Sequence, residues 1–456
     1  MKIGLEIHIQ LNTKSKLFCS CAAFSSKEQE YEKPNTRTCP ICLGHPGAKP
    51  SLNKEAVYSA LKVALALGCK INNSFFFSRK TYFYPDLPKN VQITQYEFPI
   101  AYDGSLEKIK IKRLHLEEDP GKSIHSGNAT LIDYNRSGTP LIEVVTEPDF
   151  KSVEEVKVFL QKMITILEYL NVYSRKSEAS IRTDVNVSVN GPRIEIKNIN
   201  GIKDVERALI YEIEQQKKNP DAKQQTKAWD SINGKTNFIR YKETEEDYGY
   251  IFEPDLMKVA LLDNEIEKIR KNLPELAHEK LKRFVKQYKI KKEDAEVLTS
   301  EILLANLYEK VAKQIEPILA AKWLKRELKR VLHYNKKELH EVELDEAYMI
   351  ELLELIQLRQ ITEQTGQRIL EMFIEKPFSP KKFVEEQGLL AVSEKNIIKQ
   401  YCEEAIKENP KVVETYKAGK QEALHYLIGQ VMKKTKGTAT PKEVNEFLKE
   451  LLKAVQ

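Results

Sequence analysis

The feature that most limits how this chain can fold is a change of texture near residue 260. Before it, β-rich runs at residues 3–11, 139–146 and 179–189 lie among turns and occasional helices. After it Lys, Glu and Leu dominate, glycine becomes scarce, and apolar residues recur at helical spacing. Side chains on a strand repeat every second residue, whereas those on a helix repeat about every 3.6 residues, and one pattern does not serve for the other. The expected fold class is therefore α+β: an amino-terminal part with a mostly antiparallel sheet, followed by an all-helical remainder.

Local signals sharpen this outline. Residues 181–188 place Arg182, Asp184 and Asn186 at every second position, so a strand there shows one polar face. Ser152 and Glu155 form a capping box ahead of Val153, Val156, Phe159, Leu160, Met163 and Leu167 at helical spacing. Another helix is expected from about Lys54 to a C-terminal stop at Gly68. Pro274, Pro317, Pro377, Pro380 and Pro410 mark helix boundaries or turns in the second half. The expected division is residues 1–290, with a cysteine-bearing insert near 19–42, then 291–395 and a tail at 396–456.

Charge excludes some function classes. The 73 basic residues nearly cancel against 67 acidic ones, giving a net +6 that rules out a histone-like polycation but allows local basic patches. A carboxylate already at Glu6 interrupts any signal-peptide apolar stretch. No run of about 18 apolar residues suggests a membrane span. Four of the cysteines fall before residue 43, which is not a disulfide-stapled pattern. A reducing cytoplasmic setting, without membrane association, is expected.

Those four are Cys19, Cys21, Cys39 and Cys42, a CxC…CxxC set. Each short pair can turn back onto one tetrahedral ion, and four thiolates leave no open coordination position. Structural Zn²⁺ is the expectation. The plainer reading is buried or redox thiols, but a redox CxxC ordinarily stands alone in a βαβ unit. Cys69 and Cys402 read as solitary core residues.

A second group of residues suggests phosphate chemistry. Glu6 and His8 lie two apart and so share a strand face. Residues 113–119 hold Arg113, His115, Glu117, Glu118 and Asp119 beside a Pro120-Gly121 turn, and Glu143 stands amid Leu141, Ile142, Val144 and Val145. A carboxylate in such apolar company needs a partner or a cation. Converging carboxylates favour a hard divalent ion, Mg²⁺ or Mn²⁺, and such ions bridge nucleotide phosphates. Each piece alone is commonly a solvated surface. Gly121-Lys122-Ser123 imitates the end of a phosphate loop, but Leu116 occupies the position of its first glycine, so bound ATP requires another scheme.

Taken together, colinear runs resemble one family across nearly the full length. They are residues 4–8, 79–89, 92–95, 113–121, 135–143, 195–198, 253–256 and 429–432. The resemblance is to the B subunits of aspartyl/glutamyl-tRNA amidotransferases. It implies an amino-terminal cradle similar to the glutamine synthetase catalytic region, a helical domain and a YqeY-like tail. It also implies an activity: ATP converts the side-chain carboxylate of Glu-tRNA(Gln) or Asp-tRNA(Asn) into an acyl phosphate. Ammonia, released from glutamine by an amidase partner (the A subunit) and channelled internally, then displaces phosphate. A small third chain, the C subunit, is the other implied partner. By matching positions, Glu6, His8, Glu118 and Glu143 would hold the divalent metal, while Lys80, Tyr82, Lys89, Arg182 and Asp184 would line the ammonia path.

Some residues depart from the family pattern. An arginine common before Glu253-Pro254 is Gly249 here, and an arginine-rich stretch before Trp229-Asp230 is Thr226-Lys227-Ala228. The large insertion of the related archaeal E subunits has no room between Pro254 and the helices near Pro274. In the tail, Lys433, Lys434 and Lys436 would usually form a solvated helix face; the YqeY-like resemblance makes them candidate tRNA contacts. Two rival functions remain: a non-catalytic, zinc-containing tRNA-binding protein, and a stand-alone ligase acting on a small acid. The first leaves the carboxylates unexplained, and the second does not require a basic tail.

Overall fold

The computed structural model describes residues 1–23, 32–173, 181–189, 191–219, 223–241, 249–390, 395–417, 420–435 and 439–454. It divides into two compact units, residues 1–276 and 277–456. The first is mixed α and β; the second is helical.

The strands of the first unit begin with β1 (Lys2–Gln10), β2 (Lys70–Ile71), β3 (Ser74–Phe75), β4 (Ser78–Thr81), β5 (Val91–Thr94), β6 (Ala101–Leu106), β7 (Ile109–Glu118) and β8 (Lys122–Ser126). They continue as β9 (Ala129–Asp133), β10 (Pro140–Thr146), β11 (Ile181–Ser188), β12 (Ile194–Asn200), β13 (Gln225–Asp230), β14 (Lys235–Tyr241), β15 (Gly249–Phe252) and β16 (Val259–Ala260). Nine form one sheet in the order β14-β13-β12-β11-β1-β10-β7-β6-β2. Every neighbouring pair is antiparallel except β12 with β13, which run parallel across the crossover helix α3 (Ile202–Lys218). A three-stranded sheet, β15-β4-β5, and the pairs β3–β16 and β8–β9 complete the β structure among the described residues.

Strand alternation divides the work of the large sheet between its faces. On β1, Ile3, Leu5, Ile7 and Ile9 are buried to 1% exposure or less. Their cross-strand neighbours include Val185, Val187, Ile142 and Val144. Helix α1 (Lys54–Ala66) packs on β7, and α3 packs on β11 and β12 beside α2 (Val153–Tyr169). Burying each such aliphatic side chain contributes roughly 1.5–3 kcal/mol. The opposite face of β1 carries Glu6 and His8.

The expected caps are present, with one change of partner. Asn53 caps α1 by accepting from the Glu55 and Ala56 amides, and Gly68 (φ +64°) ends that segment in the left-handed region. Ser152 accepts from the Glu155 amide, but the Glu155 carboxylate reaches back to the Lys151 amide rather than to that of Ser152.

In the second unit Pro317 and Pro380 occupy first-turn positions, and Pro410 opens a further helix. The division falls at residue 276 rather than near 290. The physical reason is that helix Ala277–Tyr288 packs Phe284 against Tyr308, and Lys280 and Arg283 both grip Glu309. Helices Lys395–Glu408, Pro410–Lys417, Glu422–Lys434 and Pro441–Ala454 share their own apolar core, centred on Ile398, Cys402, Ala405, Leu427, Val431 and Leu448.

Candidate functional site

The polar face of the nine-stranded sheet is assembled by register. His8 stands opposite Glu143 on one side and Arg182 on the other, while Glu143 also faces His115. One row therefore reads Arg182, His8, Glu143, His115 across four strands. In the next row Glu6 stands opposite Asp184. Residues directly opposite in an antiparallel pair have their side chains on one face, about 4.5–5.5 Å apart at Cβ.

Two groups able to hold a cation lie on this face. The first is His8, Glu117 and Glu143, and the second Glu6, Asp184 and Glu195; within each, one ligand atom per residue lies within 4.8 Å of the others. His8 Nε2 is 3.4 Å from Glu143 and 3.8 Å from Glu117, and His115 Nε2 is 3.2 Å from Glu143. Carboxylate oxygens with one imidazole suit Mg²⁺ or Mn²⁺.

The electrostatics show what the groups do without an ion. Burial alone would raise the Glu143 carboxyl, but the imidazoles of His115 and His8 outweigh it and hold it well below the usual carboxylate range. Burial likewise pushes against a charged His8, yet hydrogen bonding to Glu143 and the charges of Glu143, Glu117 and Asp184 raise it to about 9. Glu6 is raised by burial and then by the Glu143 charge. Asp184 is lowered despite burial, because Lys197 lies 2.9 Å away and the Asn198 amide donates to it at 2.8 Å. Lys197 also faces Glu195 at 3.4 Å.

A cation ligated by His8 would bind in a pH-dependent way. Metal ligation needs the neutral imidazole, and the free site keeps its proton up to about pH 9. Mn²⁺ affinity should therefore rise with pH, by at most about tenfold per unit for one released proton, and level off above pH 9. Calorimetric titration between pH 7 and 10 reads this directly. A flat profile would remove His8 from the ligand set.

The structure sets one expected member of the metal group apart from the others. Glu118 does not join Glu6, His8 and Glu143, because alternation on β7 puts Arg113, His115 and Glu117 on the polar face and Glu118 on the other. Glu118 instead accepts from Lys89 Nζ at 2.5 Å and from the Ile93 amide at 3.0 Å. Glu117 takes its place beside His8. The period-two pattern Arg113, His115, Glu117 is the sequence signal for this, whereas matching positions to the family points to Glu118.

The other expected residues sort into three settings. Asp184 belongs to the carboxylate face. Arg182 reaches Asp119 at 2.6 Å, and Arg136 reaches the other oxygen of Asp119 at 3.3 Å. Lys80 and Tyr82 lie at and just beyond β4, with Lys80 Nζ 5.5 Å from the Tyr82 ring and the Tyr82 hydroxyl donating to Gln92 at 2.9 Å. Tyr250, opposite Lys80 on β15, stacks on Tyr96 at 4.1 Å; burial, then Glu117 and Glu143, push its hydroxyl pKa upward. His115 and Asp119 belong to the polar run at residues 113–119, whereas no local pattern marks Lys197, Glu195 or Tyr250, which reach this region through long-range strand pairing.

The cysteine quartet closes as its spacing implied. The sulfurs of Cys19, Cys21, Cys39 and Cys42 lie within 4.8 Å of one another, and those of Cys39 and Cys42 are 3.9 Å apart. A tetrahedron with Zn–S of about 2.3 Å has an edge near 3.8 Å, so the donor set fits zinc. A hydrogen bond with Cys19 draws Cys42 down to about 4, the thiolate form that a metal requires.

In the tail, Lys434 is engaged by Glu408 at 2.6 Å and Glu404 at 3.2 Å, whereas Lys433 is exposed. Lys436 lies outside the described residues, as do residues 247–248 just ahead of Gly249. No helix among the described residues is long and apolar enough to cross a membrane.

Residues 1–267 match the GatB/GatE catalytic domain, and residues 306–452 match the GatB domain. The B subunit of the aspartyl/glutamyl-tRNA(Asn/Gln) amidotransferase of Methanothermobacter thermautotrophicus is 43% identical, covering 99% of this chain and 100% of that protein. The protein of the same name from Thermodesulfovibrio yellowstonii is 42% identical over 99% and 98% of the two chains, and that from Finegoldia magna 41% over 98% of each. With two domain matches and relatives aligned end to end, the chain belongs to the B-subunit family of the aspartyl/glutamyl-tRNA(Asn/Gln) amidotransferases, the tRNA-dependent C–N ligases of translation.

Proposed function

We propose that the polar face of the large sheet phosphorylates the side-chain carboxylate of Glu-tRNA(Gln), Asp-tRNA(Asn) or both, using ATP. The observation that carries this reading is the pair of carboxylate groups, His8–Glu117–Glu143 and Glu6–Asp184–Glu195, on one sheet face. Mg²⁺ or Mn²⁺ held there would neutralise nucleotide phosphate charge. The substrate carboxylate oxygen attacks the γ-phosphorus and ADP departs. Ammonia then attacks the acyl carbon, phosphate leaves, and the amide nitrogen gives up a proton. The Arg182–Asp119–Arg136 network sits beside this face as a fixed source of positive charge. Tyr250, on the three-stranded sheet, lies close enough to feel the charges of Glu117 and Glu143.

Ammonia would arrive along Lys80, Tyr82 and the half-buried Lys89–Glu118 pair, of which Glu118 lies on the side of β7 opposite the carboxylate face. The A and C partners of a heterotrimer would release and deliver it, and the zinc-holding quartet would stabilise the fold. The amino-terminal unit is read as a glutamine synthetase-like cradle working in the cytoplasm. Residues 277–395 and 396–456 would be separate domains, a division favoured by the tail's own core. The tail would contact tRNA through Lys433 and Lys436 more than through Lys434, whose charge Glu404 and Glu408 offset.

Removing the chain after residue 396 should weaken tRNA affinity at least about tenfold at moderate salt while leaving the amino-terminal melting transition in place. Filter binding together with calorimetry would show it, and unchanged affinity would place the RNA contact elsewhere. The function itself is tested by ATP hydrolysis of this chain co-purified with its A and C partners, with and without each mischarged tRNA. Turnover stimulated by mischarged tRNA, with amidated aminoacyl-tRNA as product, supports the proposal. Turnover with free glutamate that ignores tRNA would replace it with a small-acid ligase, and tRNA binding without turnover with a non-catalytic role.

A further inference from the structure

Lys16 is buried to 0% exposure, an unusual setting for an ammonium group. Taking such a charge out of water costs several kcal/mol unless acceptors replace the lost hydration. The Lys16 Nζ donates to the Arg37 carbonyl at 2.8 Å, the Tyr134 carbonyl at 3.3 Å and the Cys42 sulfur at 3.8 Å. Three acceptors satisfy the three protons, and of these only the sulfur can carry a full negative charge.

The backbone holds this lysine in place. The Lys16 amide donates to the Cys21 carbonyl at 2.9 Å, the Leu17 amide to the Gly138 carbonyl at 2.8 Å, and the Asn53 side chain to the Lys16 carbonyl at 3.3 Å. Gly138, at φ +83°, closes over the group: a Cβ there would lie 3.6 Å from Lys16 Cδ and 3.7 Å from Cys42 Cβ. The ammonium is thus confined against one particular thiolate.

We propose that Lys16 is the charge-balancing partner of the four-cysteine site, donating to the Cys42 thiolate and setting how tightly the site holds its divalent ion. The proposal rests on the reading of the quartet as a zinc site. Four thiolates around a divalent cation carry a net charge of −2, which is costly in a buried setting; the lysine halves it. An N–H···S bond also draws electron density from the sulfur and fixes its direction, as outer partners of metal ligands do. Lys16 is therefore a positioning residue, and it also ties the metal site to the segment around Tyr134 that leads into β10.

The test uses the full chain, as wild type and as Lys16→Met and Lys16→Gln. Zinc content is measured by elemental analysis, affinity by competition with a chromophoric chelator, and the ligand field by Co²⁺ substitution. Both variants are expected to lose about 10–100-fold in zinc affinity, the usual cost of removing an outer-shell partner. Their sulfur-to-cobalt charge-transfer bands should move to lower energy, Lys16→Met further than Lys16→Gln, which keeps a neutral donor. A merely structural role would not move that band. If a folded variant keeps wild-type affinity and an unshifted band, the assignment to Lys16 fails while the zinc site stands. If the wild type binds neither zinc nor cobalt, the reading of the quartet fails and this inference with it.

Discussion

Replacing Glu143 by alanine is expected to lower tRNA-dependent ATP turnover at least about 10³-fold while tRNA affinity stays within about twofold of wild type. Glu143 is the hub of the proposed phosphoryl-transfer face. It lies on β10 between β1 and β7, and both imidazoles, His8 and His115, converge on its carboxylate. Alanine removes a buried charge that could otherwise ligate a cation, and it relieves the raised proton affinity of His8. His8 can then become neutral, so the expected loss of stability is only about 1–3 kcal/mol. Glu143→Gln retains the shape without the charge and should fail almost as badly. Glu118→Gln is the instructive contrast. Position matching alone groups Glu118 with Glu143, yet Glu118 faces Lys89 and the Ile93 amide on the other side of β7. Its variant should still phosphorylate and should lose amidation instead. Isotope exchange between ATP and ADP separates the two steps. Wild-type turnover in Glu143→Ala would take this face out of the chemistry.

The second large effect concerns the cysteines. Cys39→Ser should release about one zinc ion per chain and lower the stability of the amino-terminal unit by more than about 4 kcal/mol, since loss of a structural metal is among the largest single-residue effects. For a unit of this size that corresponds to a melting point lower by roughly 10 °C. The damage should also spread. The cysteine-bearing insert is stitched to the segment before β10 by the Asn35 amide on Asp133, the Arg37 amide on Asn135 and the Asn135 side chain on the Lys33 carbonyl. The next residue, Arg136, helps to fix Asp119 and through it Arg182. Loss of zinc should therefore reduce turnover even below the melting point, and added zinc should restore it in the chelated wild type but not in the variant. Zinc-free wild-type protein with full stability would refute the structural role.

Local chemistry makes much of the molecule readable in advance. The runs at residues 3–11, 139–146 and 179–189 become β1, β10 and β11 because alternation of polar and apolar residues can be satisfied by a strand with one buried face. The cap at Ser152 and the stop at Gly68 need only their immediate neighbours. Four cysteines within 24 residues close on one centre whatever the rest of the chain does. Even the shared polar face of Glu6 and His8 follows from a spacing of two.

Pairing over long separations is decided elsewhere. Glu143 meets His8 because β1 lies between β10 and β11, whose residues are more than a hundred positions away along the chain. Glu195 and Lys197 reach the face because β12 pairs with β11, which sets Glu195 opposite Asn186. The choice of Glu117 over Glu118 turns on which face of β7 is covered. Lys434 carries the same charge as Lys433, but two glutamates on a neighbouring helix engage it. Neighbouring residues alone set the periodicities, the caps and the metal-ready thiols, and colinear motifs set the family. The tertiary structure decided which carboxylates share a face and which lysine is buried against a thiolate. Periodicity and capping depend on residues a few positions apart, whereas electrostatic partnership depends on distance in space, and strand register sets that distance.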